Sequence, residues 1–339
     1  MNRTGKGVSH GAATIVNAIA TGKGAAFGID LKTWAEVELN DSSYVDVKIE
    51  GFKEEPTKLV ENCFRSVVAK LAPGEDLGAR ITTRSEIPVS KGLKSSSAAA
   101  NAVIMATLDA LEETIEPLYS IRLGTKCAIE AGVSVTGAFD DACASWLGGA
   151  VVTDNRKNEL LKREPMDPTL KAVIHVPPFQ IRKAGLPRER ISVVSDMAEM
   201  AFQLALNGDY LKAMKLNGMC YASALKVDQD IAFKALELGA RSAGLSGTGP
   251  ATAILVDSDK LEKFLSDIKS TKEFIITDMF NGSKARNSLS GNRRSGEPCP
   301  HPHLKATPIE RWCWAFSERG PPGLTTCFWA VTPWPLWER

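Results

Sequence analysis

The chain has 339 residues, 44% of them apolar, which suffices for one large core or two ordinary ones. Forty-one Lys and Arg against forty Asp and Glu leave a formal charge of +1, so neither nucleic acid nor a membrane surface is an expected partner. No apolar run approaches the roughly 18 residues of a spanning helix, and Gly11–Ala20, broken by Thr14 and Asn17 and lacking an A-x-A site, does not read as a leader, so a cytoplasmic protein is expected.

Small apolar residues from Ala12 to Leu39, punctuated by Gly22, Gly24 and Gly28, predict strands joined by tight turns. Tyr44–Ile49 alternates as a strand, and Leu59, Cys63, Val67 and Leu71 recur at helical spacing within Thr57–Leu71. Ala79–Ile87 alternates again and is stopped by Pro88. Ser96–Leu111 and Pro117–Ala131 read as helices, so Pro88–Ser95 is a loop between a strand and the start of a helix. Short strands follow at Leu147–Asp154 and Ala172–Val176, then helical periodicity over Ile191–Leu206 and Tyr210–Leu238. Gly244–Val256 reads as a turn then a strand, and Leu261–Ile268 with Glu273–Thr277 as a closing helix and strand. Mixed elements without a regular βαβ repeat predict an α+β protein. Cys63, Cys127, Cys143 and Cys220, with no C-x-x-C pair, are expected as reduced, mostly buried thiols.

After about Asn281 the composition changes. The last 59 residues hold five of the seven Trp and eight of the eighteen Pro without periodicity, which sets them apart from a packed domain. Their Cys299-Pro-His301-Pro-His303, with Cys313 and Cys327, matches no common zinc spacing.

Three segments carry chemistry. In the first, Pro88, Val89, Ser90, Lys91, Gly92, Leu93 and Lys94 lead into Ser95, Ser96, Ser97 and Ala98. A helix N-terminus offers unpaired N–H groups and partial positive charge, which suit polyphosphate. Gly92 allows close backbone approach, and Lys91 and Lys94 add cations. The competing explanation is an ordinary serine N-cap with nothing bound. No Walker A pattern occurs in the chain. The second segment is Glu130 followed by Thr136–Ser145, which contains Asp140 and Asp141. A kinase acting on a hydroxyl needs a carboxylate near Mg²⁺ and often another for the hydroxyl proton, although adjacent carboxylates also serve as solvated turns or caps. The third is Gly244–Ala251, whose Gly247, Thr248 and Gly249 make a backbone-rich loop ahead of an apolar strand, or simply a tight turn.

Taken together, in this order and spacing, the segments resemble the GHMP kinases, whose P-x-x-x-G-L-G-S-S-A-A motif is matched at Pro88, Gly92, Leu93, Ser95 and Ser96 and whose C-terminal Gly-rich loop is matched by Leu245–Ala251. The resemblance covers about residues 5–280. Within the superfamily, Gly11–Leu31, Gly92–Ala98 and Thr136–Ala142 resemble the archaeal-type shikimate kinases. That likeness implies an α+β two-domain fold, with a ribosomal-protein-S5-like domain over 1–157, a ferredoxin-like domain over 158–280, and 281–339 as an anomalous tail. It implies ATP and Mg²⁺, with phosphoryl transfer to the 3-hydroxyl of shikimate; the absent Walker A then reflects a different scaffold for that reaction. Another GHMP activity, on homoserine or mevalonate, or nucleotide binding without transfer, is the alternative. Carried over by motif, residues 88–98 and 247–249 bind the nucleotide, Ser96 and Glu130 hold Mg²⁺, and Asp140 is the catalytic carboxylate. A one-residue shift selects Asp141 instead. Lys94 departs from the family's glycine. Arg182, Lys183, Arg188 and Arg190 are one candidate source of a cation for the acceptor's carboxylate, beside the plainer reading of a solvated surface. The sequence leaves the oligomeric state open.

Overall fold

The computed structural model describes residues 3–51, 56–134, 137–179, 187–268 and 274–282, and Met1–Ala285 forms one compact unit. Two sheets organise it. The first has six strands: β1 (Thr4–Val16), β2 (Lys23–Asn40), β3 (Val45–Ile49), β4 (Gly78–Ser85), β5 (Ala150–Asp154) and β6 (Glu159–Glu164). One edge of β2 pairs along its length with β1, while the other takes β4 over Thr33–Asn40 and β5 over Lys23–Phe27. The second sheet is antiparallel in the order β10 (Phe274–Asp278), β7 (Leu170–His175), β9 (Thr252–Asp257), β8 (Ser242–Leu245). This is the two-sheet α+β architecture expected.

Helices α1 (Lys58–Leu71), α2 (Ser95–Leu111), α3 (Pro117–Glu130) and α4 (Phe139–Leu147) accompany the first sheet. Of the later helices, α5 (Arg188–Val193) packs on α6 (Ser195–Leu206) and α7 (Tyr210–Leu225), α6 lies on α7 and on β1, β2 and β5, α7 meets β8 and β1, and α8 (Asp230–Glu237) and α9 (Leu261–Asp267) accompany the second sheet. One core runs through both sheets, with Ile15, Phe27 and Val152 of the first, Ile174 and Leu255 of the second, and Phe202 and Met214 of α6 and α7 in one cluster. A second core packs α1, α2 and α3 on Val37, Leu39 and Ile81. The first sheet continues beyond position 157 through β6, which pairs with β5. The chain returns to it at Ile29–Met279, and Asn281 bonds through its side chain to both backbone groups of Met166. Residues 283–339, which include the zinc-like cluster, lie outside the described residues.

The position of α2 is set by glycine. A Cβ on Gly5 or Gly7 would stand 2.2 Å from the carbonyl oxygen of Ala106 or Ala102, so α2 lies directly against the backbone of β1. The first half of β1 escapes sequence reading because Thr4–Gly7 alternates polar residues with glycine and Val8 is its one apolar side chain before Gly11. β6 escapes it as a charged edge strand. The helical stretch expected over Tyr210–Leu238 is two helices, broken at Lys226 in the left-handed region.

The four cysteines at 63, 127, 143 and 220 are free and buried, as expected. Among the described residues no helix is long and apolar enough to cross a membrane.

Candidate active site

The loop 88–94 turns three times through positive φ, at Ser90 (58°), Gly92 (88°) and Lys94 (67°). Such alternation points successive N–H groups into one concavity, a backbone nest for an anion. Gly92 is obligatory, since a Cβ there would lie 2.2 Å from the carbonyl oxygen of Ser246. Lys94 is the residue before α2 and takes the left-handed conformation, which costs a non-glycine residue about 1–2 kcal/mol. Its side chain offers no acceptor to the helix start. The serine-cap explanation therefore fails: Ser95, Ser96 and Ser97 are the first three residues of the helix itself, behind a lysine that cannot cap it.

The loop is bound to the third segment. Ser246 Oγ donates to the Gly92 carbonyl at 2.8 Å, and the Ala251 N–H to the Lys91 carbonyl at 3.1 Å. Leu93 is fully buried, and its carbonyl accepts from Ala12 N–H. The Gly247 turn is held from β1 and the residues after it: Gly247 N–H donates to Thr14 Oγ1, and Asn17 Nδ2 donates to the Gly247 carbonyl, both at 2.8 Å. Gly247 and Gly249 have φ of 61° and 80°, and Thr248 between them is buried.

The two lysines of the loop part ways. Lys91 Nζ donates to the carbonyls of Pro177 and Phe179, each at 2.7 Å, and tethers the loop to the second sheet. Two carbonyls thus hold the ammonium that the sequence offered as a phosphate cation. Lys94 Nζ instead lies 2.8 Å from Asp141 Oδ1, with both side chains almost wholly buried.

Asp140 and Asp141 open α4 after Gly137 (φ 77°) and Ala138 (φ 50°) bend the chain back. Both are buried, so the solvated-turn explanation fails. Asn155 Nδ2 donates to Asp140 Oδ1 at 2.7 Å, and Asp140 N–H donates to Asn155 Oδ1 at 3.2 Å. Gly24 abuts the other carboxylate oxygen, which a Cβ there would approach to 2.5 Å. Burial, and then the charge of Asp141, raise the Asp140 carboxyl to about 7, against the opposing pull of Lys94 and Asn155. Next to these groups the turn after β1 is fixed by Tyr221, whose hydroxyl donates to the Asn17 carbonyl and accepts from Ala20 N–H.

The structure thus gathers loop 88–94, Gly247 and the aspartates into one junction with Lys94 at its centre. Glu130 is the last residue of α3, half exposed and 3.8 Å from Lys126. Among the described residues no three His, Cys, Asp or Glu side chains form a metal cage. Mg²⁺ bound with a polyphosphate needs only one or two protein oxygens, and the hydroxyl of Ser96, on the second residue of α2, suits that mode. Arg190 caps the end of α7 through the carbonyls of Ala224 and Ser223, and Arg188 is exposed at the start of α5. Of the cations proposed for the acceptor, then, Arg190 is engaged structurally, while Arg182 and Lys183 lie outside the described residues, as does Thr136. Sequence reasoning missed Asn155 and Gly24. Their one signal was the short distance of each from a glycine turn or a strand end, which is shared by many residues.

The sequence profile of the GHMP kinases N terminal domain matches residues 58–149. The chain is 46% identical over 286 residues to the shikimate kinase of Methanococcoides burtonii, covering 83% of this chain and 98% of that one. It is 49% identical to the shikimate kinase of Methanosarcina mazei, covering 78% and 90%. Among solved structures, homoserine kinase from Cytophaga hutchinsonii superposes with a TM-score of 0.65 at 18% identity over 83% of this chain and 96% of that one. Lactococcus lactis galactokinase, complexed with galactose, gives 0.67 at 13% identity over 82% and 94%. At such identities these two likenesses concern the fold alone.

Proposed function

The chain belongs to the shikimate kinase branch of the GHMP kinases, and from that premise we propose that it transfers the γ-phosphoryl group of ATP to the 3-hydroxyl of shikimate. The observation that carries the kinase reading is the buried Asp140–Asp141 pair, joined through Lys94 to an uncapped helix start and two glycine turns. The choice of acceptor rests on the near full-length similarity to shikimate kinases.

In this reading the N–H groups of loop 88–94 and of the α2 start receive the phosphates, with the Gly247–Gly249 turn closing over them. Ser96 and Glu130 are the proposed Mg²⁺ ligands. Bound Mg²⁺ would neutralise charge on the phosphate oxygens. Asp140, whose carboxyl titrates near neutrality, is the proton acceptor. The acceptor oxygen forms a bond to the γ-phosphorus, the bond to the β–γ bridging oxygen breaks, ADP departs, and the hydroxyl proton passes to Asp140. Asn155 and Gly24 hold that carboxylate still, which is the larger part of what an enzyme supplies to an in-line transfer. The pair divides its work: one carboxylate near neutrality takes the proton, and the other remains with a cation.

The test is product analysis by mass spectrometry after incubation of the purified chain with ATP, Mg²⁺ and each of shikimate, homoserine, mevalonate and galactose. Shikimate 3-phosphate is the expected product. Phosphorylation of another acceptor with shikimate untouched overturns the assignment, and ATP binding without transfer to any of them overturns the kinase reading.

A further inference from the structure

Position 94 is one where glycine would fit the backbone without strain, and this chain has lysine there. What the lysine gains is visible in where its ammonium goes. It stands 2.8 Å from Asp141 Oδ1, and the two side chains are 9% and 13% exposed. No donor meets hydrogen-bond geometry at that oxygen among the described residues, so the ion pair with Lys94 is what compensates its burial. The same ammonium abuts the third segment, 3.1 Å from where a Cβ on Gly247 would lie. Gly247 is itself held by Thr14 and Asn17. Lys94 is therefore enclosed by a carboxylate and a fixed backbone turn, whereas a lysine serving as a mobile phosphate cation would stand open in the loop.

We propose that Lys94 is a positioning residue for phosphoryl transfer: it pins the Asp141 carboxylate between the loop and the Gly247 turn, leaving Asp140 as the carboxylate that meets the acceptor hydroxyl. This assigns it a role other than nucleotide ligand, and it rests on the kinase reading above. The charged and titratable groups that face Asp140 are Asp141 and Cys143 on α4, Lys94 before α2, and Tyr221 on α7. Of these Lys94 is the cation, so the arrangement of the pair depends on it.

The test is a set of variants on the full chain, read by calorimetric ATP affinity and by kcat at saturating ATP and shikimate. Lys94→Met is expected to lower kcat about fiftyfold or more while ATP affinity changes by less than about threefold. Lys94→Gly keeps the left-handed turn without strain, and the same loss of kcat in that variant, with a cooperative thermal transition above the assay temperature, separates loss of the charge from loss of the fold. The double variant Lys94→Met with Asp141→Asn should be no slower than Lys94→Met alone, because the two residues act as one unit. Lys94→Arg should recover part of kcat. ATP affinity falling by about tenfold or more with kcat preserved makes Lys94 a nucleotide ligand and overturns the proposal, as do losses at 94 and 141 that simply multiply. A wild type inactive on every acceptor overturns the functional reading separately. In that case the ATP affinity of Lys94→Met still decides between ligand and positioning residue.

Discussion

The two halves of the candidate site are made of different material. Around Gly92 and Gly247 the groups proposed to bind phosphate are backbone N–H donors, in turns shaped by positive φ and, at Gly92, by a carbonyl too close for any side chain. Around Asp140 they are buried side chains, held by Asn155 from the end of β5 and by the bare backbone of Gly24 on β2. The contrast teaches that a phosphate cradle can be encoded within a few consecutive residues, whereas a carboxylate tuned near neutrality needs contributions from several distant parts of the chain. Burial is what gives the second half its chemistry, since an ion taken from water without full compensation shifts its proton affinity instead.

The largest expected effect belongs to the carboxylate half. Asp140→Asn should lower kcat by roughly a hundredfold or more, the usual scale for a proton acceptor, with ATP affinity near that of wild type. A variant of near-normal kcat would move the proton to Asp141.

Two glycine substitutions then compare the halves directly. Gly24→Ala pushes a methyl group onto Asp140 Oδ2 and should lower kcat about thirtyfold at unchanged ATP affinity. Gly92→Ala both strains the loop and meets the Ser246 carbonyl, and should weaken ATP about tenfold, with a smaller effect on kcat. Kinetics with varied ATP and varied acceptor distinguish them. If both variants lose the same parameter, the two halves are one unit.

pH sharpens the comparison further. Asp140 is raised to about 7 in the folded protein, so kcat should fall about tenfold per pH unit below that value. The stability linkage has a definite sign. A carboxyl raised by folding contributes its full stability when neutral in both states, below about pH 4, and loses it as pH rises toward about 7. Asp140→Asn stays neutral throughout, so its Tm relative to wild type should climb between about pH 4 and pH 7 by several degrees. A flat difference in calorimetric scans would show that burial does not tune Asp140.

The smallest effect is expected at the loop's other lysine. Lys91→Met removes the tether to Pro177 and Phe179 and should weaken ATP only about threefold, with kcat unchanged. A loss like that at Lys94 would mean that Lys91 reaches the phosphates.

What the sequence by itself determined is the local and periodic part. Alternation announced β3 and β4, spacing of four announced α1, and the P-x-x-x-G-L run with the G-T-G turn marked the anion cradle and the family. These features are written in consecutive residues, because φ preferences and one-sided burial act over short range. Only the tertiary structure decided which way each lysine of the loop points, that Lys94 meets Asp141, and that Asn155 and Gly24 close around Asp140. Likewise it placed the glycine-rich start of β1 under α2, where that stretch becomes a floor for the helix from Ala102 to Ala110. The physical reason is common to all of these: each depends on burial and on partners from 15 to more than a hundred residues away, and the compensation of a buried charge or a close backbone approach has no local signature.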